Sequence, residues 1–195
     1  MILENWFPTT IYYGLCSNIN VNDLIHYSYN LKNKSQGRIT TNQNAWQSED
    51  LDLSLQILQP LIKEATIHFL VLHKHLGYKN NLKPIINNMW ININPPGGLT
   101  RVHTHVDNIL SGVFFLKTSE NCGRLVFPTP LPHASYHFHH KTIETYNEKN
   151  SNFCYHISQV GKLILFPSFA QHFVETNLSN EDRISIAFNT NLINA

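Results

Sequence analysis

The sequence predicts a mainly β protein: a double-sheet jelly roll backed by a layer of N-terminal helices. Three observations carry that reading. Helical apolar periodicity is confined to the chain before Asn81, short runs rich in β-branched and aromatic residues follow it, and those runs are divided by Pro, Gly and Asn as in a sandwich or barrel. Helices first and strands afterwards place a helical layer against a sheet.

Taken in order, Phe7-Pro-Thr-Thr-Ile-Tyr-Tyr13 reads as a short first strand. Asn20 to Leu31 reads as a helix from a polar start, with Leu24, Ile25 and Tyr29 at helical spacing. Lys32 to Ser48 is polar and reads as a long loop, Trp46 excepted. Leu51 to Leu76 is the strongest helical stretch, with Leu55, Leu58, Leu61, Ile62, Ala65, Phe69 and Leu72 recurring at three and four. Pro60 within it predicts two helices or a kink. Strands are then expected at Ile85–Asn94, Leu110–Lys117, Gly123–Phe127, Lys162–Phe166, His172–Thr176 and Arg183–Asn189. Thr129 to Asn152 lacks a core pattern and reads as an elaborated loop at one end of the barrel.

The 195 residues fit one domain, with helical support over about 20–80 and the jelly-roll core over about 85–190. A net charge of +1, from 14 basic and 13 acidic residues, creates no broad field to attract nucleic acid or an anionic membrane. Cys16, Cys122 and Cys154 are odd in number and contain no CxxC pair, which argues against a disulfide framework or a Cys-rich zinc site. Reduced thiols, no signal-like start and no membrane-length apolar run together predict a soluble, cytoplasmic protein. Histidine is the anomaly, at 12 residues, and it clusters.

The cluster with most chemical content is His103-Thr-His105-Val-Asp107. On a regular strand, residues two apart share a side and sit about 7 Å apart at Cα. The outer two of three would stand about 13 Å apart, too far for short side chains to share one ion through bonds of about 2 Å. The choice is therefore His103 with His105, or His105 with Asp107. The second supplies the carboxylate of a two-histidine, one-carboxylate ferrous face and leaves positions free for substrate and oxygen. His103 is then a neighbour that orients a ligand or lines the entrance.

His172 offers the second imidazole. If His172–Thr176 and Arg183–Asn189 form a hairpin over Asn177–Asp182, then Thr176 pairs with Arg183, Val174 with Ser185 and His172 with Ala187. A five-carbon diacid chelating the metal at one end would then present its far carboxylate to Arg183, with Ser185 as a further donor. Ile184, Ile186 and Phe188 on the other face read as sandwich core. The plainer fate for Arg183 is an ion pair with Glu181 or Asp182.

His105, Asp107, His172, Arg183 and Ser185 in this order resemble the HxD…H…RxS signature of the Fe(II)- and 2-oxoglutarate-dependent dioxygenases, whose fold is a double-stranded β-helix. Ser111-Gly-Val-Phe-Phe-Leu116 and Leu165-Phe-Pro-Ser168 resemble the strands that follow HxD and precede the distal His in prolyl-hydroxylase-like members. With Trp90-Ile-Asn-Ile-Asn94, Gly123-Arg-Leu-Val-Phe127 and Phe7 to Tyr12, most of the sequence is similar to a family of 2-oxoglutarate oxygenases common in phages and marine bacteria. Relatives of that subgroup often keep both histidines of HxH while the position matching Asp107 varies.

The resemblance implies iron on His105, Asp107 and His172, and 2-oxoglutarate held at its far carboxylate by Arg183 and Ser185. Asn92 and Asn94 alternate with Ile91 and Ile93, so one of them, with Asn92 the candidate, can reach that cosubstrate; the plainer reading is a polar solvent face. It also implies O2 as co-reactant, ascorbate as a stimulant, decarboxylation to succinate and CO2, and hydroxylation of an unidentified substrate. A phage origin would place the protein in host cytoplasm. Two other classes stay open: a cupin-like metalloenzyme using His103, His105 and His172 without 2-oxoglutarate, and an inactive jelly-roll binding module. The histidine-dense His133–His140 reads as a loop near the substrate entrance, and Trp46, Trp90 and Tyr136 as aromatic contacts or packing.

Overall fold

The computed structural model describes residues 1–4, 7–131 and 141–194. The first helix, α1 (Val21–Lys32), starts at Asn20, whose side chain accepts from the Asp23 backbone N–H at 3.4 Å. The second, α2 (Gln59–His75), corrects the expectation of two helices or a kink. Pro60 stands in its first turn, where a missing N–H leaves no helical bond unmade, and Leu51 to Leu55 lies outside it, leading into a 3-10 turn at Gln56–Leu58. Leu61, Ala65, Phe69 and Leu72 form its buried stripe.

The strands among the described residues are β1 (Tyr12–Leu15), β2 (Asn42–Gln43), β3 (Trp46–Gln47), β4 (Leu82–Asn94), β5 (Leu99–His103), β6 (Leu110–Lys117), β7 (Arg124–Pro128), β8 (Phe153–Ile157), β9 (Lys162–Pro167), β10 (His172–Val174) and β11 (Arg183–Asn194). They form two antiparallel sheets, one ordered β1-β9-β6-β11-β4-β3 and the other β2-β5-β10-β7-β8. This is the jelly roll, with α1 and α2 covering the outer face of the six-stranded sheet. Sequence reading missed the short β2 and β3, and also β8, and it carried the strand at His103 on to Asp107, whereas β5 stops at His103. The described residues of the Thr129–Asn152 stretch contain no strand, while His133–His140 and Tyr136 lie outside the described residues.

Two expectations about the last strands are corrected. β10 is flanked on both sides by β5 and β7, and β11 by β4 and β6, so neither has a free edge for the other and no hairpin forms. The polar link between them instead crosses from one sheet to the other. Asn177 ties that crossing down through its backbone, bonded to Gly97 and Gly98, and through its side-chain amide, which donates to the Asn94 and Glu181 carbonyls at 2.8 and 2.7 Å.

The second correction concerns where the core lies. Ile184, Ile186 and Phe188 pack outward with Ile91 and Ile93 against α2, where Phe69 meets Phe188 edge-on at 5.8 Å. Each such phenylalanine contributes about 1.5–3 kcal/mol by burial. The space between the sheets has a smaller apolar cluster, built on Phe115, Leu125, Phe127, Ile164 and Phe166. Polar side chains of β4 and β11 occupy the rest of that interior, because alternate residues of the same strands face inward. No helix of the described residues is long and apolar enough to cross a membrane.

Candidate metal centre and its cavity

Between the sheets lies a cavity of about 370 Å³, lined by Asn92, Asn94, Arg183 and Ser185 on one wall and by His103 and His172 on the other. Its size falls in the usual range for small-molecule sites. His103 closes β5 directly across from His172, the first residue of β10, with ring centroids 4.2 Å apart. The backbone then leaves the sheet, and the His105 N–H donates to the Ser168 carbonyl at 3.0 Å. That anchor brings His105 Nε2 to 3.2 Å from His172 Nε2. A ligand nitrogen from each of His103, His105 and His172 lies within 4.8 Å of the others.

The outer ring nitrogens are held as metal ligands require. His103 Nδ1 donates to the Arg101 carbonyl at 2.8 Å and His172 Nδ1 to the Ala170 carbonyl at 3.0 Å. A carbonyl only accepts, so these bonds fix the tautomer that leaves Nε2 a bare lone pair. Two ligand nitrogens on one ion, with bonds of about 2.1 Å at right angles, stand about 3 Å apart. The 3.2 Å between His105 and His172 therefore suits a shared cation. Phe166 and Trp90 wall the cluster, with centroids 4.7 Å from His172 and 5.6 Å from His105.

Asp107 does not join this cluster. The regular strand assumed from the sequence ends at His103, and Asp107 has a left-handed backbone with φ 64°, is exposed, and is absent from the cavity wall. The two-residue alternation that made His105 and Asp107 a pair stops short of both. His103, read from the sequence as a neighbour, is the residue brought in instead. The signal for it was its spacing from His105, with the strand end after it unseen.

Burial pushes all three imidazoles down: His103 below its usual value, His105 to about 4, with the nearby His103 adding to the effect, and His172 well below. Each is therefore neutral at pH 7, the form that binds metals. In the unfolded protein these groups titrate near about 6.5, so the unfolded state takes up protons first as pH falls. The metal-free protein should hold its full stability above that pH and lose it progressively toward pH 4, read as a falling urea midpoint. A bound divalent cation should steepen the loss, because protons compete for the same nitrogens.

On the cavity wall facing the imidazoles, Arg183 is only 2% exposed. Its Nη1 donates to the backbone carbonyls of Cys122 and Glu175, and none of the ion pairs among the described residues includes it. The acids nearest in sequence are engaged elsewhere. Glu181 pairs with Lys117, Asp182 accepts from Tyr29, and the Glu175 carboxylate is gripped by Arg124 at 2.6 and 2.7 Å. Burial lowers the Arg183 guanidinium to about 10, which leaves it charged at neutral pH. Beside it, in register, Asn94 carries a buried side-chain Nδ2 with no hydrogen-bond partner among the described residues. A buried cation that makes no ion pair among the described residues, and whose nearby Glu175 carboxylate is already held by Arg124, fits a carboxylate ligand beside an orphaned donor. Ser185 and Asn92, facing each other one step along on β11 and β4, continue the same polar wall.

Gly123 is a residue whose role the sequence did not reveal. Its φ is +91°, and a Cβ there would meet the Glu175 carbonyl oxygen and come within 2.7 Å of Arg183 Nη1. Gly123→Ala should therefore strain the turn by about 1–3 kcal/mol and displace the guanidinium. Calorimetry should show weaker dicarboxylate binding, with metal binding unchanged.

The protein matches, over residues 88–189, the family described as "Putative 2OG-Fe(II) oxygenase". No curated protein matches it in sequence. Among solved structures it is similar to a prolyl-4-hydroxylase from Pseudomonas putida, at 13% identity and TM-score 0.62, covering 91% of each chain. It is also similar to the viral collagen prolyl hydroxylase of Paramecium Bursaria Chlorella virus-1 in its 2OG complex, at 14% identity and TM-score 0.62, covering 95% of this chain and 96% of that one. The non-heme alpha ketoglutarate dependent epimerase SnoN from nogalamycin biosynthesis aligns at 11% identity and TM-score 0.64, over 92% of this chain and 75% of its own. At such identities the likeness is one of fold.

Proposed function

This chain belongs to the 2OG-Fe(II) oxygenase family, and we propose that it hydroxylates an unactivated C–H bond of its substrate, coupled to decarboxylation of 2-oxoglutarate to succinate and CO2. His103, His105 and His172 would hold the iron, and Arg183 would receive the far carboxylate of 2-oxoglutarate with Ser185, Asn92 and Asn94 as neighbouring donors. Bound Fe(II) with 2-oxoglutarate supplies the activation of O2 for attack on such a bond.

The protein's own residues do the rest. The Arg101 and Ala170 carbonyls orient two imidazoles, and the Ser168 carbonyl positions the third. Phe166 and Trp90 keep water from the cluster's flank. The crossing of Asn177 beside Asn94 holds the Arg183 end rigid. The observation that carries the reading is one cavity holding both three converging imidazoles and a buried guanidinium that makes no ion pair among the described residues.

Anaerobic addition of Fe(II) and 2-oxoglutarate to the metal-free protein should give the weak visible absorption of a chelated keto acid. Aerobic addition should yield succinate slowly even without the prime substrate. Iron binding with neither absorption nor succinate would favour the second reading, a cupin-like metalloenzyme. The all-histidine cluster is the observation behind that alternative. If neither ligand shifts the melting temperature at millimolar concentration, the protein is a binding module instead.

A further inference from the structure

A second cluster of ligand-type side chains lies where β1 meets α2, and none of its residues lines the cavity. Cys16 follows β1, while Glu64 and His68 stand one turn apart on α2. Their thiol sulfur, carboxylate oxygen and imidazole nitrogen fall within 4.8 Å of one another.

Each position is fixed by something else in the fold. Cys16 is 6% exposed, and its backbone N–H donates to the Gly161 carbonyl at 2.8 Å, which presents the thiol to the helix. Glu64 and His68, four apart, leave the same helix face with Oε1 and Nε2 3.4 Å apart. Tyr12 Oη bonds His68 Nδ1 at 2.9 Å, leaving Nε2 toward the carboxylate. Metal-binding imidazoles usually have such a partner on their second nitrogen. In a tetrahedral site with bonds of about 2.1 Å, oxygen and nitrogen ligands stand about 3.4 Å apart, so that edge is already formed. Glu64 and His68 are each about a quarter exposed, at 26% and 27%, which opens a fourth position to water.

We infer that Cys16, Glu64 and His68 form a second metal site, a sulfur–oxygen–nitrogen centre for a thiophilic divalent cation of the Zn²⁺ type. One thiolate, one imidazole and one carboxylate are the ligand types that Zn²⁺ takes, and the sulfur sets this site apart from the all-nitrogen cluster in the cavity. On binding, the Cys16 thiol gives its proton to solvent and the sulfur becomes the anionic ligand, with no change of oxidation state. The cation would join β1, a short edge strand, to the helix that covers its sheet.

Cobalt(II) added to the metal-free, full-length protein tests this directly, because only a thiolate ligand produces near-ultraviolet sulfur-to-cobalt absorption. The band should appear in the wild type and persist in His172→Ala, where the cavity cluster is broken. It should vanish in Cys16→Ser, and in Tyr12→Phe it should need at least about tenfold more cobalt. Glu64→Gln and His68→Gln, both at partly exposed positions, should weaken it as well and serve if Cys16→Ser fails to fold. Absence of the band at cobalt concentrations that fill the cavity cluster overturns the inference. So does its survival in Cys16→Ser, which would assign the sulfur to Cys122 or Cys154.

Discussion

Replacing His172 by alanine is expected to remove iron binding and 2-oxoglutarate turnover together, while the protein stays folded. His172 sits at the centre of the cluster: it faces His103 across the β5–β10 pair and lies 3.2 Å from His105 through Nε2. Losing a partner that only orients a metal ligand costs about 10–100-fold in affinity, so losing the ligand itself should exceed that. His103→Ala should behave alike, and Asp107→Ala should bind iron as the wild type does. Equilibrium iron titration of the three variants decides the ligand set. Loss in Asp107→Ala with retention in His103→Ala would restore the two-histidine, one-carboxylate face read from the sequence.

That contrast marks where sequence reasoning reached its limit. The helical layer, the strand-rich second half and the sharing of one strand face by Arg183 and Ser185, opposite Ile184, Ile186 and Phe188, were legible, because apolar periodicity and turn residues report local structure directly. Strand pairing was not. The Asn177–Asp182 link has the composition of a hairpin turn, yet whether it reverses or crosses depends on which edges β5, β7, β4 and β6 already occupy. The structure brings together a different set, His103, His105 and His172, for a related reason. A period of two places side chains only while the strand continues, and β5 stops at His103. His105 reaches the cluster through a loop anchored at Ser168, a contact between residues 63 positions apart that no local pattern encodes.

Arg183→Met is expected to separate affinity from stability. Truncating one member of a buried charged hydrogen-bond pair costs about 2–5 kcal/mol, which would weaken 2-oxoglutarate binding by about 30-fold to a few thousandfold. The same change in the ligand-free protein removes a buried cation that makes no direct ion pair among the described residues. Replacing buried charge with an apolar side chain of similar volume is commonly neutral or stabilising. Against this, the Cys122 and Glu175 carbonyls lose their Nη1 donor, a cost of about 1–3 kcal/mol if no water replaces it. The ligand-free urea midpoint should therefore move little, while calorimetric 2-oxoglutarate affinity collapses. Arg183→Lys tests the geometry as well as the charge. One ammonium cannot bond both backbone carbonyls and a carboxylate fork as a guanidinium can, so it should recover only part of the binding. A large loss of ligand-free stability in Arg183→Met with affinity unchanged would make Arg183 a structural strut and move the carboxylate elsewhere in the cavity. The guanidinium makes no ion pair among the described residues, and the Glu175 carboxylate near it is held by Arg124, so an incoming dianion would offset much of its cost of burial.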